Sequence, residues 1–179
     1  DTLIWGRGLG AISRELNVEV NVHTLLQDAR ESIASIGPSS FGVLAPSVSF
    51  ERIVTRLPRS KDGLRWRLAA CAAALPAGGE LWIAGQQREG IKSTTKLLEE
   101  LFGATVTVHT KRRCRVLVAR RRDAPCVAPT LNDEARTVAF EFKGQALKGI
   151  TLPGVFAHGR LDDGTQRLLT WLASQKVKG

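Results

Sequence analysis

Several residue types are scarce or absent in this sequence of 179 residues, which has no Met, no Tyr, three Cys and three His. The cysteines, Cys71, Cys114 and Cys126, form no Cys-x-x-Cys pair, so neither a disulfide framework nor a zinc site is indicated. No apolar run reaches membrane-spanning length, and no signal peptide is visible. These absences predict a cytoplasmic protein with no metal and no membrane attachment. The missing methionine also predicts that Asp1 is not the initiator residue.

Acidic residues are few relative to basic ones. The chain has 26 Lys and Arg against 17 Asp and Glu, and its formal net charge is +9. A basic surplus on a folded domain favours a polyanionic partner, most often nucleic acid. The alternative is a compositional bias that serves solubility. Hydrophobic residues make up 43% of the chain, which is enough to form a core.

The order of apolar and amphipathic segments predicts an α/β fold. Strands and helices alternate up to about residue 103, and two close strands joined by "KRR" follow as an antiparallel pair. Such an order predicts a mostly parallel, Rossmann-like sheet with one antiparallel strand near its edge. Residues 37–49 have the composition of a loop. Residues 123–136 are rich in Pro and charge and predict a linker, followed by a β-hairpin that turns near Lys143 and Gly144 and by a final helix.

A glycine-rich turn, "GRGLG", follows the first predicted strand. Gly6, Gly8 and Gly10 stand where an α/β domain brings its backbone close to a nucleotide. A methyltransferase-type cofactor site needs a carboxylate two residues before the first glycine, and that position is Ile4. His23 stands near the end of the next strand, where a second carboxylate is expected. The pattern predicts a retained turn without its cofactor, and the alternative is a loop that still binds a nucleotide.

The segment "FERIVTRLPRS", residues 50–60, resembles a known motif with its chemical groups replaced. Methyltransferases that modify exocyclic amino groups carry Asn-Pro-Pro-aromatic at the end of the fourth strand. In the same frame this chain has Arg56 for Asn, Leu57 for the first Pro and Arg59 for the aromatic residue, and it keeps Pro58. Arginine has no acceptor for the hydrogens of a target amine, and its charge repels a cationic sulfonium. The segment therefore resembles the remains of a catalytic site.

Four other segments support the same resemblance: "GQQREGIKS", "KRRCRV", "ALPAGGELWIAG" and "ITLPGVFAHGRLDDGTQRLLTWL". In this order they are similar to the small-domain methyltransferase family, which includes ribosomal RNA guanine-N2 methyltransferases. The family has a degenerate N-terminal domain before an active C-terminal one. The resemblance implies a degenerate class I methyltransferase domain at 1–122, a linker at 123–136, and at 137–179 the leading hairpin and helix of a truncated catalytic domain.

The resemblance also implies a cofactor, S-adenosyl-L-methionine, bound in the full-length enzyme and not by this chain alone. By matching positions, Phe156, Asp162, Gly164 and Thr165 would line its pocket. The alternative is that Asp163 or Thr165 caps the last helix and Phe156 packs in a core. No catalytic residue is predicted, because no intact Asn-Pro-Pro-aromatic motif occurs in the chain.

Basic residues cluster in two groups, which we interpret as candidate RNA contacts. The candidates near the altered motif are Arg56, Arg59, Lys61, Arg65 and Arg67, and those near the final hairpin of the sheet are Lys111, Arg112 and Arg113. Basic side chains at strand ends predict contacts with phosphates. The predicted function is to bind ribosomal RNA, free or in a ribosomal subunit, and to support the chain's own C-terminal catalytic domain. The alternative is a purely structural module that touches no RNA.

Overall fold

The computed structural model describes residues 2–5, 20–24, 39–41, 49–152 and 157–175. The chain divides into two units, Asp1–Pro129 and Thr130–Gly179. This boundary lies inside the range 123–136 that the sequence predicts as a linker, although that range also contains a one-turn helix, Leu131–Glu134, and the first residue of a strand, Arg136.

The first unit is built on a seven-stranded sheet. Its strands are β1 (Thr2–Trp5), β2 (Val20–Thr24), β3 (Ser39–Phe41), β4 (Arg52–Arg56), β5 (Glu80–Gln86), β6 (Thr105–Lys111) and β7 (Cys114–Arg120). Their spatial order is β3-β2-β1-β4-β5-β7-β6. The pairs from β3 to β5 are parallel, and β7 runs antiparallel to both β5 and β6. The predicted fold class, a mostly parallel sheet with one antiparallel strand near the edge, is confirmed.

Two described helices connect β4 to β5 and β5 to β6, and local sequence signals mark their ends. Helix α1 (Lys61–Ala74) begins at Ser60, whose Oγ accepts a hydrogen bond of 3.0 Å from the backbone N–H of Gly63. It ends just before Pro76, which cannot continue a helix. Helix α2 (Ile91–Leu101) follows a short 3₁₀ turn, Gln87–Glu89.

The core of the first unit lies between this sheet and the two helices. Alternate residues of β4 and β5 are buried, because successive side chains point to opposite faces and α1 and α2 cover one of them. The cluster includes Trp5, Ile53, Leu81 and Ile83 from the strands and Cys71 from α1. Burial raises the pKa of the Cys71 thiol to about 12, so this cysteine is a neutral core residue.

Two sequence-based interpretations fall on the part of the chain before β4. The sequence predicts a loop at residues 37–49, but Ser39–Phe41 form β3, which pairs in parallel with β2. That prediction was wrong because a three-residue strand is too short to show an alternating pattern. The glycine-rich loop at Gly6, Gly8 and Gly10 lies outside the described residues.

The second unit consists of a hairpin and helices. Its elements are α3 (Leu131–Glu134), β8 (Arg136–Phe142), β9 (Gln145–Thr151) and α4 (Asp163–Ser174). The hairpin turns at Lys143 and Gly144, as the sequence predicts, and both have positive φ, 50° and 76°. Among the described residues of both units, no helix has the length and apolar character needed to cross a membrane.

Candidate nucleic-acid interface

The strand register brings members of both predicted basic groups to the same edge of the sheet. Arg56, the last residue of β4, lies opposite Ala84 near the end of β5. The last residue of β5, Gln86, lies opposite Cys114, which in turn pairs with Lys111 at the end of β6. The turn between β6 and β7 is therefore at the carboxyl edge of the parallel strands, together with the end of β4. In α/β sheets this is the edge at which ligands bind.

We refer to the basic residues at this edge as the basic edge. Its members are Arg56, Arg59, Lys61, Arg88, Lys111, Arg112 and Arg113, all of which are exposed. Sequence reasoning missed Arg88, which lies in the 3₁₀ turn and donates a hydrogen bond of 2.6 Å from Nε to Gln86 Oε1. The signal was available, because the segment "GQQREG" directly follows a buried strand and so had to lie at its carboxyl end.

In the altered motif at the end of β4, an apolar residue and a cationic one, Leu57 and Arg56, replace the residues that methyl transfer requires. Leu57 is buried, and its backbone N–H donates a hydrogen bond of 2.8 Å to Ala84 O, which continues the pairing of β4 with β5. Arg56 lies at the edge and carries no acceptor. Neither side chain can receive hydrogens from an amine, whereas the guanidinium of Arg56 can bind an anion.

An ion pair organises the end of β4. Arg56 Nη2 donates a hydrogen bond of 2.8 Å to Glu89 Oε1. The other carboxylate oxygen, Oε2, accepts a hydrogen bond of 3.1 Å from the backbone N–H of Gln86. The N–H of Gln86, and then the guanidinium of Arg56 and the charge of nearby Arg59, hold the pKa of Glu89 below its usual value. Glu89 is therefore ionised at neutral pH and links β4 to the 3₁₀ turn.

The turn between β6 and β7 has an unusual backbone for its residue types. Arg112 and Arg113 both have positive φ, 46° and 64°. A two-residue hairpin turn requires this left-handed conformation, which Asn and Gly adopt most readily. Backbone Arg113 O accepts a hydrogen bond of 2.8 Å from Gln87 N–H, so the turn is attached to the 3₁₀ segment. Both arginine side chains are exposed beyond the edge of the sheet.

Two of the predicted RNA-binding residues lie away from the basic edge. Arg65 is on the outer surface of α1 and pairs with Glu100 of α2, with Nη2 and Oε1 separated by 3.0 Å. Arg67 is largely buried, and its Cζ lies 5.2 Å from the centroid of the Trp5 ring. Burial lowers the pKa of this guanidinium. The structure thus assigns Arg65 to the helix surface and Arg67 to the core.

Other arginines near the end of β7 interact with backbone or with carboxylates. Arg120 Nη2 lies 2.9 Å from Glu80 Oε1, at the opposite end of β5 from the basic edge. Arg121 Nε donates a hydrogen bond of 2.7 Å to Ala72 O, a carbonyl in the last turn of α1. Arg122 donates to Glu100 O in the last turn of α2. Arg121 and Arg122 therefore satisfy carbonyls at the ends of the helices.

The predicted cofactor residues lie in the second unit, around the start of α4. Asp162 is the N-cap: Oδ1 accepts hydrogen bonds of 3.0 Å from Gly164 N–H and 3.1 Å from Thr165 N–H, and Oδ2 accepts one of 2.6 Å from Thr165 Oγ1. The bonds from Thr165, with that from Gly164, hold the pKa of Asp162 below its usual value. The sequence-based alternative predicts Asp163 or Thr165 as the cap. It is wrong, because the cap is Asp162, one residue before Asp163. Phe156 lies outside the described residues.

The described residues contain no group of three or more His, Cys, Asp or Glu side chains arranged to hold a metal ion.

The ends of β1 and β4 can be compared with the side chains that an S-adenosylmethionine site and an amine-methylating site require. At the end of β1 the structure has buried Ile4 and Trp5, and at the end of β4 it has a cationic guanidinium. The carboxylate expected two residues before the glycine-rich loop and the acceptor for an amine are therefore both missing, from the end of β1 and the end of β4 respectively. The described ends of β1 and β4 therefore do not fit S-adenosylmethionine.

The strand order with a reversed β7 defines the class of the protein. It is a Rossmann-like class I methyltransferase fold, and solved structures share it. The T. thermophilus 16S rRNA N2 methyltransferase in complex with AdoMet and guanosine superimposes with a TM-score of 0.80 at 23% identity, covering 96% of this chain and 48% of that one. The N-methyltransferase NodS from Bradyrhizobium japonicum gives a TM-score of 0.53 at 15% identity, covering 68% of this chain and 85% of that one.

The chain belongs to the family described as methyltransferase small domain N-terminal, whose model matches residues 5–134. Ribosomal RNA small subunit methyltransferase C of Pseudomonas fluorescens is 41% identical over 136 residues, which cover 76% of this chain and 40% of the relative. The protein of the same name from Pseudomonas putida is 39% identical over 141 residues, covering 79% of this chain and 42% of the relative. The family resemblance read from the sequence is confirmed. The chain spans about two fifths of the length of these curated relatives.

Proposed function

We propose that this chain is the N-terminal part of a ribosomal RNA methyltransferase, and that its basic edge binds the RNA. The whole enzyme would transfer a methyl group from S-adenosylmethionine to the N2 amino group of a guanine in small-subunit RNA, in the cytoplasm. The names of the relatives and of the structural neighbour support the reaction. One observation carries the role of this chain: two basic groups far apart in sequence meet at one edge of the sheet.

The electrostatics of the edge favour a phosphate backbone as the ligand. Seven basic side chains lie at the edge, and the one described carboxylate that contacts them, Glu89, faces inward with only 14% of its side chain exposed. Contacts of Lys and Arg with phosphates release counterions, so RNA affinity should fall steeply with salt. The edge does not need to recognise a base to do this, because phosphate contacts position a protein without reading sequence.

The test is RNA binding by the 179-residue chain over a salt series. The edge variant Arg59→Ala/Arg113→Ala should bind a ribosomal RNA hairpin at least tenfold more weakly and should reduce the salt slope by about two. The control variant Arg65→Ala/Lys96→Ala removes the same charge from the outer surfaces of α1 and α2. If the two variants lose equal affinity, the effect is one of net charge and the basic edge is not an RNA site.

A supporting role for the second unit rests on its exposed apolar side chains. Val138 is the one described residue of this unit that is buried, whereas Leu168 and Trp171 of α4 are 54% and 58% exposed. A helix is stabilised mainly by packing of its apolar face. We therefore propose that α4 packs against the rest of a catalytic domain, and that Phe156, Asp162, Gly164 and Thr165 contribute there to the cofactor pocket. Asp162 would act by fixing the turn, since its own helix uses both carboxylate oxygens.

This supporting role has its own test. Leu168→Asp/Trp171→Asp should leave the unfolding of the 179-residue chain unchanged, because both residues are already exposed. The same pair of changes should lower the thermal stability of the whole enzyme. Equal stability of the altered and unaltered whole enzyme would exclude α4 from the packing of the catalytic domain. If the α4 variant destabilises the whole enzyme while the edge variant binds RNA no more weakly than its control, the purely structural alternative is the correct one.

A further inference from the structure

The 3₁₀ turn Gln87–Glu89 joins the two halves of the basic edge. On one side, Gln87 N–H donates to Arg113 O at 2.8 Å, which attaches the turn between β6 and β7. On the other side, Glu89 binds Arg56 at the end of β4. A single short segment therefore contacts both basic groups. The sheet places these groups at one edge, and this turn links them directly.

Both carboxylate oxygens of Glu89 take part in these contacts. One oxygen accepts from Arg56 Nη2 at 2.8 Å and the other from Gln86 N–H at 3.1 Å. The Glu89 side chain is only 14% exposed, whereas that of Arg56 is 49% exposed. Glu89 is thus covered, and about half of the Arg56 side chain still faces solvent.

This arrangement prepares Arg56 for an anion. A guanidinium has five N–H donors in a planar fork, so an ion pair through Nη2 leaves the fork able to donate elsewhere. An unrestrained arginine loses side-chain freedom when it binds, and a held arginine has already lost part of it. Arg59 is close enough for its charge to act on Glu89 as well. The same carboxylate therefore holds one arginine and lies near a second.

We propose that Glu89 is a positioning residue for phosphate binding, which fixes Arg56 and unites the ends of β4 and of the β6–β7 hairpin into one phosphate-binding site. This inference rests on the proposed RNA-binding function of the basic edge. It predicts a change in RNA affinity opposite in sign to the change that charge alone would cause. Removing a carboxylate from a basic surface should strengthen RNA binding if only charge matters, but it should weaken binding if the carboxylate holds the phosphate ligand in place.

The experiment compares Glu89→Gln with Glu100→Gln in binding of a fluorescently labelled ribosomal RNA hairpin to the 179-residue chain. Both variants lose one negative charge, and Glu100 lies on the exposed surface of α2, paired with Arg65. In a glutamine at position 89 an NH₂ donor replaces one of the two oxygens, so one of the two donors that face them loses its acceptor. We expect Glu89→Gln to bind RNA about threefold or more weakly than the wild type. Glu100→Gln should bind as well as the wild type or better.

A double-mutant cycle shows whether Glu89 acts through Arg56. In an Arg56→Ala background, Glu89→Gln should no longer weaken RNA binding, and the small gain expected from lost negative charge should appear instead. An equal loss in both backgrounds would overturn the inference, because the effect would not pass through the arginine. So would a Glu89→Gln chain that binds as tightly as Glu100→Gln.

Two controls distinguish a misfolded variant, and a failure of the proposed RNA-binding function, from a failure of this inference. Thermal unfolding of each variant identifies any that fails to fold, and Arg56→Lys then replaces Glu89→Gln as the test, since it keeps the charge but loses the planar fork. Arg56→Lys should bind RNA more weakly than the wild type, and equal binding would overturn the inference. If the wild type itself shows no salt-dependent RNA binding, the proposed function fails and the inference fails with it.

Discussion

The guanidinium of Arg67 lies over the indole ring of Trp5, with Cζ 5.2 Å from the ring centroid. Trp5 is fully buried at the end of β1, and Arg67 projects from α1. A cation over an aromatic face stabilises the pair more strongly when water is excluded. This contact therefore attaches α1 to the sheet at the position where a class I methyltransferase would continue into its cofactor loop.

Arg67→Ala should lower the free energy of unfolding by about 1–2 kcal/mol and leave RNA affinity unchanged. The reason is loss of the ring contact and of packing. Arg67→Met is the matched variant, because it keeps much of the volume and removes a desolvated charge, so it should cost less than Ala. Urea unfolding and RNA titration of the same samples provide the check. Weaker RNA binding by a variant of unchanged stability would place Arg67 in the interface after all.

The turn at Arg112 and Arg113 should show opposite effects on stability and binding. Replacing both by Asn-Gly should raise the free energy of unfolding by about 1 kcal/mol, because these residues adopt left-handed backbone at less cost. The same change should reduce the salt slope of RNA binding by about two. The control Arg112→Ala/Arg113→Ala should lose the same affinity without gaining stability. A stable Asn-Gly variant with full RNA affinity would exclude the turn from the RNA site.

Acid should weaken the first unit partly through Glu80. Hydrogen bonds from Arg120 first, and from Trp82 and Arg52, hold the pKa of this carboxyl below its usual value. A folded-state pKa below the unfolded value, about 4.3, means that the stabilisation is present above that pH and is lost as the pH falls through the folded-state pKa. The urea midpoint of the wild type should therefore fall more steeply between neutral and strongly acidic pH than that of Glu80→Gln. Parallel pH curves for the two proteins would contradict this role.

Gly85 should not tolerate a side chain. A Cβ at this position in β5 would lie 2.8 Å from Leu57 Cβ, closer than two such atoms can approach. Gly85→Ala should therefore lower the free energy of unfolding by about 1–3 kcal/mol, as overpacking does. Gly149→Ala is the comparison, because its nearest new neighbour would be Phe140 Cε1 at 3.6 Å, an ordinary contact. Calorimetry of the two variants would test this, and equal melting temperatures would mean that β4 can shift to make room.

Much of the fold could be read from local signals. Alternating strands and helices predicted a mostly parallel sheet, and Gly144 after Lys143 predicted the turn of the second hairpin. The family followed from segments in a fixed order, of which residues 50–60 and 85–93 are examples. These features depend on residues close together in sequence, where backbone preferences and periodicity act directly. The short strand β3 was missed because three residues carry no period.

The assignment of individual basic residues was less successful for a physical reason. Arg65 and Arg67 are two positions apart on one helix, and the sequence placed both with Arg59. A helix turns by about 100° per residue, so neighbours in sequence point in different directions. One of them reaches the surface of α1 and the other the core. The sequence could not show this, because Trp5, which receives Arg67, is 62 residues away.

The sequence by itself determined the class of fold, the family, and the loss of the amine-accepting asparagine at Arg56, since each depends on the identity of residues in order. Only the tertiary structure decided that Arg56 and Arg113 lie at one edge. Arg56 and Arg113 are 57 residues apart in sequence, but the strand register places the end of β4 and the β6–β7 turn at the same edge of the sheet. The Gln87–Glu89 turn contacts both of them. Charge alone predicted an anionic partner, and the topology placed basic side chains from distant segments at one edge of the sheet.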